Sequence, residues 1–262
     1  MTTFRDLHSG NAPLLLPNAW DVGSALAFAS AGYPAVGTTS FGVSTSAGDP
    51  DGGGSTQAAT AALVGRLSGL SVFITADIED GYSDDPDAVA DFVAELADCG
   101  LAGLNMEDSA GGHLTDPAIL AAKIAAVTRR SPEVFVNARV DNYWFAEDAT
   151  LEAVLLRART YADAGADGIF VPGLAAAEDI RTIAAEIALP LNVLAHPTVT
   201  VPELGDLGVK RVSSGSLPYR AAVDAAVNAV NALRDGKRTP TATTYGDMQS
   251  RTVAFRGAAL NP

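Results

Sequence analysis

The sequence has few of the residues that form disulfides or bind zinc. It contains one cysteine, Cys99, and three histidines among 262 residues. A single cysteine excludes an internal disulfide, and three scattered histidines do not make a typical zinc site. No apolar run reaches the length of about 18 residues that predicts a membrane span. The N-terminus lacks a basic start followed by an apolar stretch, so we expect no signal peptide and a cytoplasmic protein.

Positive charge is also scarce. The chain has 17 lysines and arginines against 31 acidic residues, which gives a net charge of −14 and a pI of about 4.4. An acidic surface repels phosphate backbones and anionic lipids, which argues against nucleic-acid and membrane partners. A small anionic substrate would therefore need a local cation or a metal ion. Hydrophobic residues make up 48% of the chain, which is enough for a full core.

Short apolar runs alternate with alanine-rich stretches along the whole chain. Eight runs are predicted as strands, at residues 14–17, 35–38, 72–77, 103–107, 134–139, 168–171, 191–194 and 209–213. Helices are predicted between them, at 21–30, 55–67, 86–99, 116–128, 150–164 and 177–187, and two more follow at 216–234 and 243–255. This alternation favours parallel strands joined by crossover helices.

Eight strands with eight helices predict a single-domain (β/α)₈ TIM barrel over residues 1–262, the size of which fits this architecture. Residues 236–262 are predicted to form a C-terminal extension. A doubly wound open sheet is the alternative. The glycine-rich run at 48–55 is too short for a domain linker, and we interpret it as a loop that can close over a site.

Acidic side chains follow two neighbouring predicted strands. Asp77 and Glu79 lie at the end of the third strand, and Glu107 lies at the end of the fourth. Catalytic groups of such barrels stand at the C-terminal ends of the strands, where these carboxylates would repel one another without a cation. Oxygen ligands suit Mg²⁺. The alternative is that all three are ordinary solvated loop carboxylates.

Three other features of the predicted strand ends suggest ligand binding. Arg139 follows the fifth strand and can clamp a substrate carboxylate, or form a structural salt bridge to Glu107. Ser40 begins a Ser-x-Gly turn that can direct backbone N–H groups into the mouth, although a plain turn fits as well. His113 lies on a glycine-flanked loop, where it can act as an acid or base, and His196 can line the mouth; the alternative for each is a solvated side chain.

Six phrases occur in the order found in the isocitrate lyase and phosphoenolpyruvate mutase superfamily: TTSFGVSTSAGDPD, TADIEDGYSDDP, LNMEDS, VNARVDNYW, AGADGIFVPG and VSSGSLPYRAA. The chain resembles this superfamily over roughly residues 12–235, as a short-lid branch of it. The resemblance implies a (β/α)₈ barrel that binds Mg²⁺, or Mn²⁺ in its place, and a small 2-oxo or 2-hydroxy acid. It also implies a homotetramer or dimer in which the C-terminal helices pack on a neighbouring subunit.

The resemblance also assigns roles to individual residues. It implies that Asp77 is the principal metal ligand, that Glu79 assists through water, and that Glu107 is the third metal-site carboxylate. It further implies substrate-binding residues at Ser40, Phe41, Gly42, Arg139 and Asn192, with a weaker match at Arg220, and catalytic residues at Arg139, Glu107, Asp51 and His113.

One departure from the superfamily pattern concerns the lid. Its carbon–carbon lyases commonly carry Lys-x-Cys-Gly-His after the fourth strand, whereas this chain has DSAGGHLTDPA, in which only Gly112 and His113 match. The resemblance therefore predicts a Mg²⁺-dependent carbon–carbon lyase or decarboxylase that works through a metal-stabilised enolate. The alternatives are a phosphonopyruvate mutase or hydrolase, a non-catalytic 2-oxo-acid-binding protein, and an unrelated Mg²⁺ aldolase barrel.

Overall fold

The fold is built around one parallel sheet. A computed structural model describes residues 2–259, with side chains as far as residue 257. Its strands are β1 (Leu14–Leu16), β2 (Asn18–Ala19), β3 (Ala35–Thr38), β4 (Phe73–Asp77), β5 (Leu101–Glu107), β6 (Ser109–Ala110), β7 (His113–Leu114), β8 (Phe135–Arg139), β9 (Gly168–Phe170), β10 (Leu191–Leu194) and β11 (Val209–Ser213). Strands β6 and β7 form a separate antiparallel hairpin, and the other nine pair in parallel.

The sheet closes on itself at Pro17. β1 pairs with β11 and β2 pairs with β3, yet β1 and β2 are consecutive in the chain and separated only by Pro17. Proline has no N–H to donate to a strand ladder, so the first predicted strand is divided into two short ones. The two short strands pair with different neighbours, one on each side, and so complete the ring of strands. This confirms the predicted barrel over the open doubly wound sheet.

Helices cover the outside of the barrel. They are α1 (Val22–Ser30), α2 (Ser40–Ala47), α3 (Gln57–Leu67), α4 (Pro86–Asp98), α5 (Pro117–Arg130), α6 (Asn142–Phe145), α7 (Leu151–Asp163), α8 (Ala177–Glu186), α9 (Val201–Asp206), α10 (Leu217–Arg234) and α11 (Tyr245–Ala259). The larger apolar core lies between these helices and the sheet. Three short helices, α2, α6 and α9, were not predicted.

The lower end of the barrel is closed by the N-terminal segment. A 3₁₀ helix, Arg5–His8, follows Phe4, and the rings of Phe4 and His8 both pack on Phe135, with His8 stacked at 4.2 Å between centroids. Gly103 makes room for this plug, because a Cβ there would lie 2.7 Å from the Phe4 ring. In the part of the chain that the structure describes, the barrel therefore opens at its other end.

Helix α10 contacts the barrel at its N-terminal end, where Tyr219 packs on Trp20, and is otherwise largely exposed. It has 18 residues, and none of them is buried. Its exposed apolar side chains include Val223, Val227 and Val230, which recur at helical spacing and form one stripe. Within the described part of the chain, no helix combines the length and the apolar character needed to cross a membrane.

Candidate active site

The C-terminal ends of the barrel strands surround a cavity of about 1440 Å³. Most of the predicted site residues line it: Ser40, Phe41, Asp51, Asp77, Glu79, Glu107, Arg139 and Arg220. Gly42, His113 and Asn192 do not line it. The fold thus brings residues from separate loops and strands to the end of the barrel where enzymes of this architecture act.

Asp77 ends β4 and is half-buried at the cavity floor. Its Oδ2 accepts a hydrogen bond from the Ser40 N–H at 3.3 Å, and its own N–H donates to Thr38 Oγ1 at 2.9 Å. Burial raises the pKa of the Asp77 carboxyl, while the charge of Arg139 lowers it and that of Asp51 raises it further. The carboxylate is fixed in place, and a cation beside it would stabilise its ionised form.

Glu79 lies beyond the end of β4 on backbone with a positive φ of 50°. Its carboxylate is buried and accepts hydrogen bonds from the Gly54 N–H at 3.0 Å and from the Thr56 hydroxyl. These contacts attach the glycine-rich loop to the barrel mouth. Burial raises the pKa of Glu79; the two hydrogen bonds lower it, and the charges of Asp77 and Asp51 raise it.

Arg139 is held between two carboxylates. Its Nη1 lies 2.7 Å from Glu107 Oε2, and its Nε donates to Asp141 Oδ1 at 2.7 Å. The guanidinium also lies over the rings of Trp144 and Phe170, at 5.7 and 5.9 Å from their centroids. The salt bridge to Glu107 is therefore present. The predicted contact with a substrate carboxylate would use the same guanidinium, which lines the cavity.

The acidic groups at the mouth affect one another electrostatically. Burial raises the pKa of Glu107 to about 8; Arg139 opposes this shift, and Asp141, Asp77 and Glu79 add to it. Burial lowers the pKa of Arg139, but its carboxylate neighbours outweigh that effect and raise it. Negative charge at the mouth thus exceeds what Arg139 neutralises, and such a site favours a bound cation.

The arrangement fits Mg²⁺ in one particular way. Among the described residues, no three acidic, histidine or cysteine side chains converge closely enough to hold a metal ion directly. Mg²⁺ is usually held by one or two carboxylates and keeps several waters. Asp77 as a direct ligand, with Glu79 and Glu107 reached through water, matches that mode, and the oxygen-only donors suit Mg²⁺ or Mn²⁺ better than zinc.

The predicted Ser-x-Gly turn is the first turn of helix α2 instead. Thr39 caps this helix by accepting a hydrogen bond from the Gly42 N–H at 3.4 Å. A Cβ on Gly42 would lie 2.8 Å from Trp20, so close packing requires glycine here. The first two residues of the helix line the cavity, and its N-terminus carries the partial positive charge that attracts carboxylates.

The short hairpin β6–β7 contains the segment that was compared with the lid in the sequence analysis. Its His113 is exposed and lies with Nδ1 2.5 Å from Glu147 Oε1, while the Leu114 N–H donates to Glu147 Oε2 at 2.9 Å. Gly111 and Gly112 line the cavity, whereas His113 contacts the segment before α7. The structure therefore places the histidine of the matching Gly-His pair outside the cavity.

Asn192 lies inside the barrel rather than in the cavity. It is 1% exposed, and its side-chain nitrogen and oxygen atoms have no hydrogen-bond partner among the described residues. Leu194, two residues further along β10, reaches the cavity instead. Asn192 and Leu194 lie on the same face of β10, so their distance along the strand, and not the alternation of faces, separates them.

His196, which was predicted as a candidate at the mouth, lines the cavity, whereas Asn105 and an apolar wall were not predicted as site residues. His196 accepts hydrogen bonds at Nδ1 from the Thr198 and Val199 N–H groups, at 3.2 and 3.1 Å. The neutral ring therefore carries its proton on Nε2 and can donate it. Asn105 lies two residues before Glu107 on the same face of β5 and also lines the cavity. The apolar wall comprises Trp144, Phe145, Phe170, Pro172, Leu194 and Leu217.

Comparisons with known proteins show several relatives. An uncharacterized protein of Mycobacterium tuberculosis is 49% identical over 253 residues, and the match covers 97% of each chain. The 2-methylisocitrate lyase of Bacillus subtilis is 30% identical, and the match covers 85% of this chain and 77% of that enzyme. The oxaloacetate decarboxylase of Pseudomonas fluorescens is 32% identical, with coverage of 66% and 62%.

A solved structure shares the fold at lower identity. Phosphonopyruvate hydrolase in complex with oxalate and Mg²⁺ superposes with a TM-score of 0.85 at 21% identity, covering 98% of this chain and 95% of that one. The family model described as phosphoenolpyruvate phosphomutase matches residues 4–234. The chain therefore belongs to the phosphoenolpyruvate phosphomutase family, within the superfamily that its strand-end phrases indicated.

Proposed function

We propose that the protein binds Mg²⁺ and the carboxylate end of a small 2-oxo or 2-hydroxy acid, and that it cleaves a carbon–carbon bond of that acid. The observation that carries this proposal is the meeting of Asp77, Glu79 and Glu107 beside Arg139 at one barrel mouth. An excess of acidic groups suits a cation, and the cation in turn suits an anionic acid.

Each residue has a distinct role in this proposal. Asp77, with Glu79 and Glu107 through water, would hold the metal, which stabilises negative charge on the 2-oxo oxygen. Arg139 and the N-terminus of α2 orient the substrate carboxylate. Removing one such electrostatic stabiliser commonly costs on the order of 10²–10³ in rate.

Decarboxylation of a 3-carboxy-2-oxo acid requires fewer catalytic groups from this site than aldol-type cleavage does. The electrons of the breaking carbon–carbon bond move to the 2-oxo oxygen and CO₂ departs, so no protein base has to begin the reaction. The enolate that remains then takes a proton from solvent at C3 to give the 2-oxo acid. Aldol-type cleavage of a 2-hydroxy acid must first remove a hydroxyl proton, and the described hairpin directs His113 away from the cavity. The similarity to an oxaloacetate decarboxylase agrees with this order of preference.

The test is a small substrate panel with Mg²⁺: oxaloacetate, isocitrate, methylisocitrate, other 2-hydroxy acids and phosphonopyruvate. We expect metal-dependent release of pyruvate or glyoxylate that is lost in Asp77→Ala. Phosphate release would favour the phosphonopyruvate branch, to which one fold relative belongs. Binding of 2-oxo acids without turnover would favour a non-catalytic binding protein.

A further inference from the structure

Arg211 crosses the inside of the barrel below the cavity. It lies on β11 and is 1% exposed, and its Nη2 donates to Asn105 Oδ1 on β5 at 3.1 Å. β11 and β5 are four places apart in the strand order, so they face each other across the barrel. Within the described part of the chain, the Arg211 guanidinium forms no salt bridge.

This contact determines how the Asn105 amide is oriented. Its Oδ1 accepts one hydrogen bond from Arg211 and a second from Asn137 Nδ2 at 2.9 Å. A guanidinium can only donate, so the atom that faces Arg211 must be the amide oxygen. The Asn105 Nδ2 group is left to face the cavity that this residue lines. Asp77 is its partner in the neighbouring strand, so the two side chains lie side by side on the same face of the sheet.

Burying this arginine is costly. A buried charge without an ionic partner costs several kcal/mol, and apolar residues of similar volume are often at least as stable. Arg211 Nε and Nη1 are buried without a hydrogen-bond partner among the described residues. Stability alone does not account for an arginine at this position. Orienting a cavity-lining amide does account for it.

We propose that Asn105 is a ligand-binding residue whose Nδ2 donates a hydrogen bond to an oxygen of the bound acid beside Asp77. Arg211 is the positioning residue that holds the Asn105 amide in the donating orientation. The inference rests on the proposed function, because it requires a 2-oxo acid or its analogue at this mouth. The Asn105 amide adds a neutral hydrogen-bond donor to the charged groups of the cavity.

The test measures binding of oxalate in the presence of Mg²⁺ by titration calorimetry. We expect Asn105→Ala and Arg211→Met each to weaken oxalate binding about 3- to 10-fold, the range of one net hydrogen bond. The double variant should bind no more weakly than Asn105→Ala, because Arg211 acts through Asn105. Thr75→Val is the matched control: it removes a buried hydroxyl without a described partner from the strand that carries Asp77, and should leave affinity unchanged.

Asn105→Asp provides a test that does not depend on Arg211→Met folding. Aspartate can still accept from Arg211 and Asn137, so the fold should persist, as thermal unfolding would show. It presents an oxygen to the ligand instead of an N–H, so oxalate should bind more weakly than to Asn105→Ala. Equal oxalate binding by the wild type and Asn105→Ala would overturn this inference and leave the proposed function standing. Additive losses of affinity in the double variant would overturn the positioning role of Arg211. Absence of oxalate binding in the wild type would overturn the proposed function together with this inference.

Discussion

Arg139 Nη1 lies 2.7 Å from Glu107 Oε2, and each side chain is only 14% exposed. Arg139→Gln would leave Glu107 and the buried Asp141 without their cation. Loss of one partner from a buried pair costs about 3–5 kcal/mol, so we expect a loss of this size in the free energy of unfolding, measured with urea at a pH above the pKa of Glu107, which is raised to about 8. Arg129→Gln, which breaks the exposed pair with Asp87, is the control and should change stability little. Similar stability losses in both variants would contradict this interpretation.

The pKa of Glu107 leads to a pH prediction for the metal-free protein. Burial raises this pKa from 4.5 to about 8, so the unfolded chain ionises Glu107 before the folded protein does. The contribution of the raised pKa to the free energy of unfolding is fully present below pH 4.5 and is lost as the pH rises to about 8. Relative to Glu107→Gln, the free energy of unfolding of the wild type should therefore fall between these two pH values. Above the higher value the difference between the two proteins should stay constant. A difference that does not vary with pH would exclude a raised pKa.

Thr56 connects the glycine-rich loop to Glu79. In Thr56→Val, the buried carboxylate keeps the Gly54 N–H but loses the hydroxyl donor. We expect a loss of about 1–3 kcal/mol in unfolding free energy and faster proteolytic cleavage within residues 48–56. Thr75→Val is again the control, since its hydroxyl has no described partner. Unchanged cleavage of the loop would show that the Thr56–Glu79 hydrogen bond does not hold it.

The contact between His113 and Glu147 fastens the tip of the β6–β7 hairpin. Glu147→Gln keeps the shape of the side chain but removes the charge that attracts His113, and it weakens acceptance from the Leu114 N–H. We expect faster hydrogen exchange at the amides of residues 109–114, with little change in global stability because the pair is exposed. Glu152→Gln, on the neighbouring helix α7, should leave that exchange unchanged.

The exposed stripe on α10 predicts that copies of this chain associate. An 18-residue helix with no buried residue and with Val223, Val227 and Val230 on one side leaves apolar surface in water. We expect light scattering after size exclusion to give a dimer or tetramer. Val227→Glu should shift the protein to a smaller species, whereas Asp224→Asn should not. A wild-type monomer would refute the expected oligomer.

The sequence alone predicted the barrel well because its strands are separated by clear helical stretches. All eight predicted strands exist, and the strand predicted at 103–107 extends to Leu101–Glu107. Helix α2 was missed because serine, threonine, glycine and valine dominate Ser40–Ala47, and all are weak helix formers. Its packing against Trp20 and Tyr219 overrides that preference.

It was harder to predict how deep in the barrel each strand side chain lies relative to the cavity. Strands that are buried on both faces lack the alternation of polar and apolar residues that reveals which side chain faces inward. The sequence around Asn192 and Arg211 therefore does not predict that they lie below the cavity. Glu107 and Arg139 were found because charged residues end their strands, and that signal depends only on position along the chain.

The plug formed by Phe4 and His8 has a kinetic consequence. Because the plug closes one end of the barrel, a ligand at Asp77 arrives and leaves, among the described residues, through the mouth at the other end. When one molecule is cleaved into two, the fragment nearer the opening has to depart before the deeper one. We therefore expect ordered product release, in which the last product to leave competes with the next substrate and inhibits turnover.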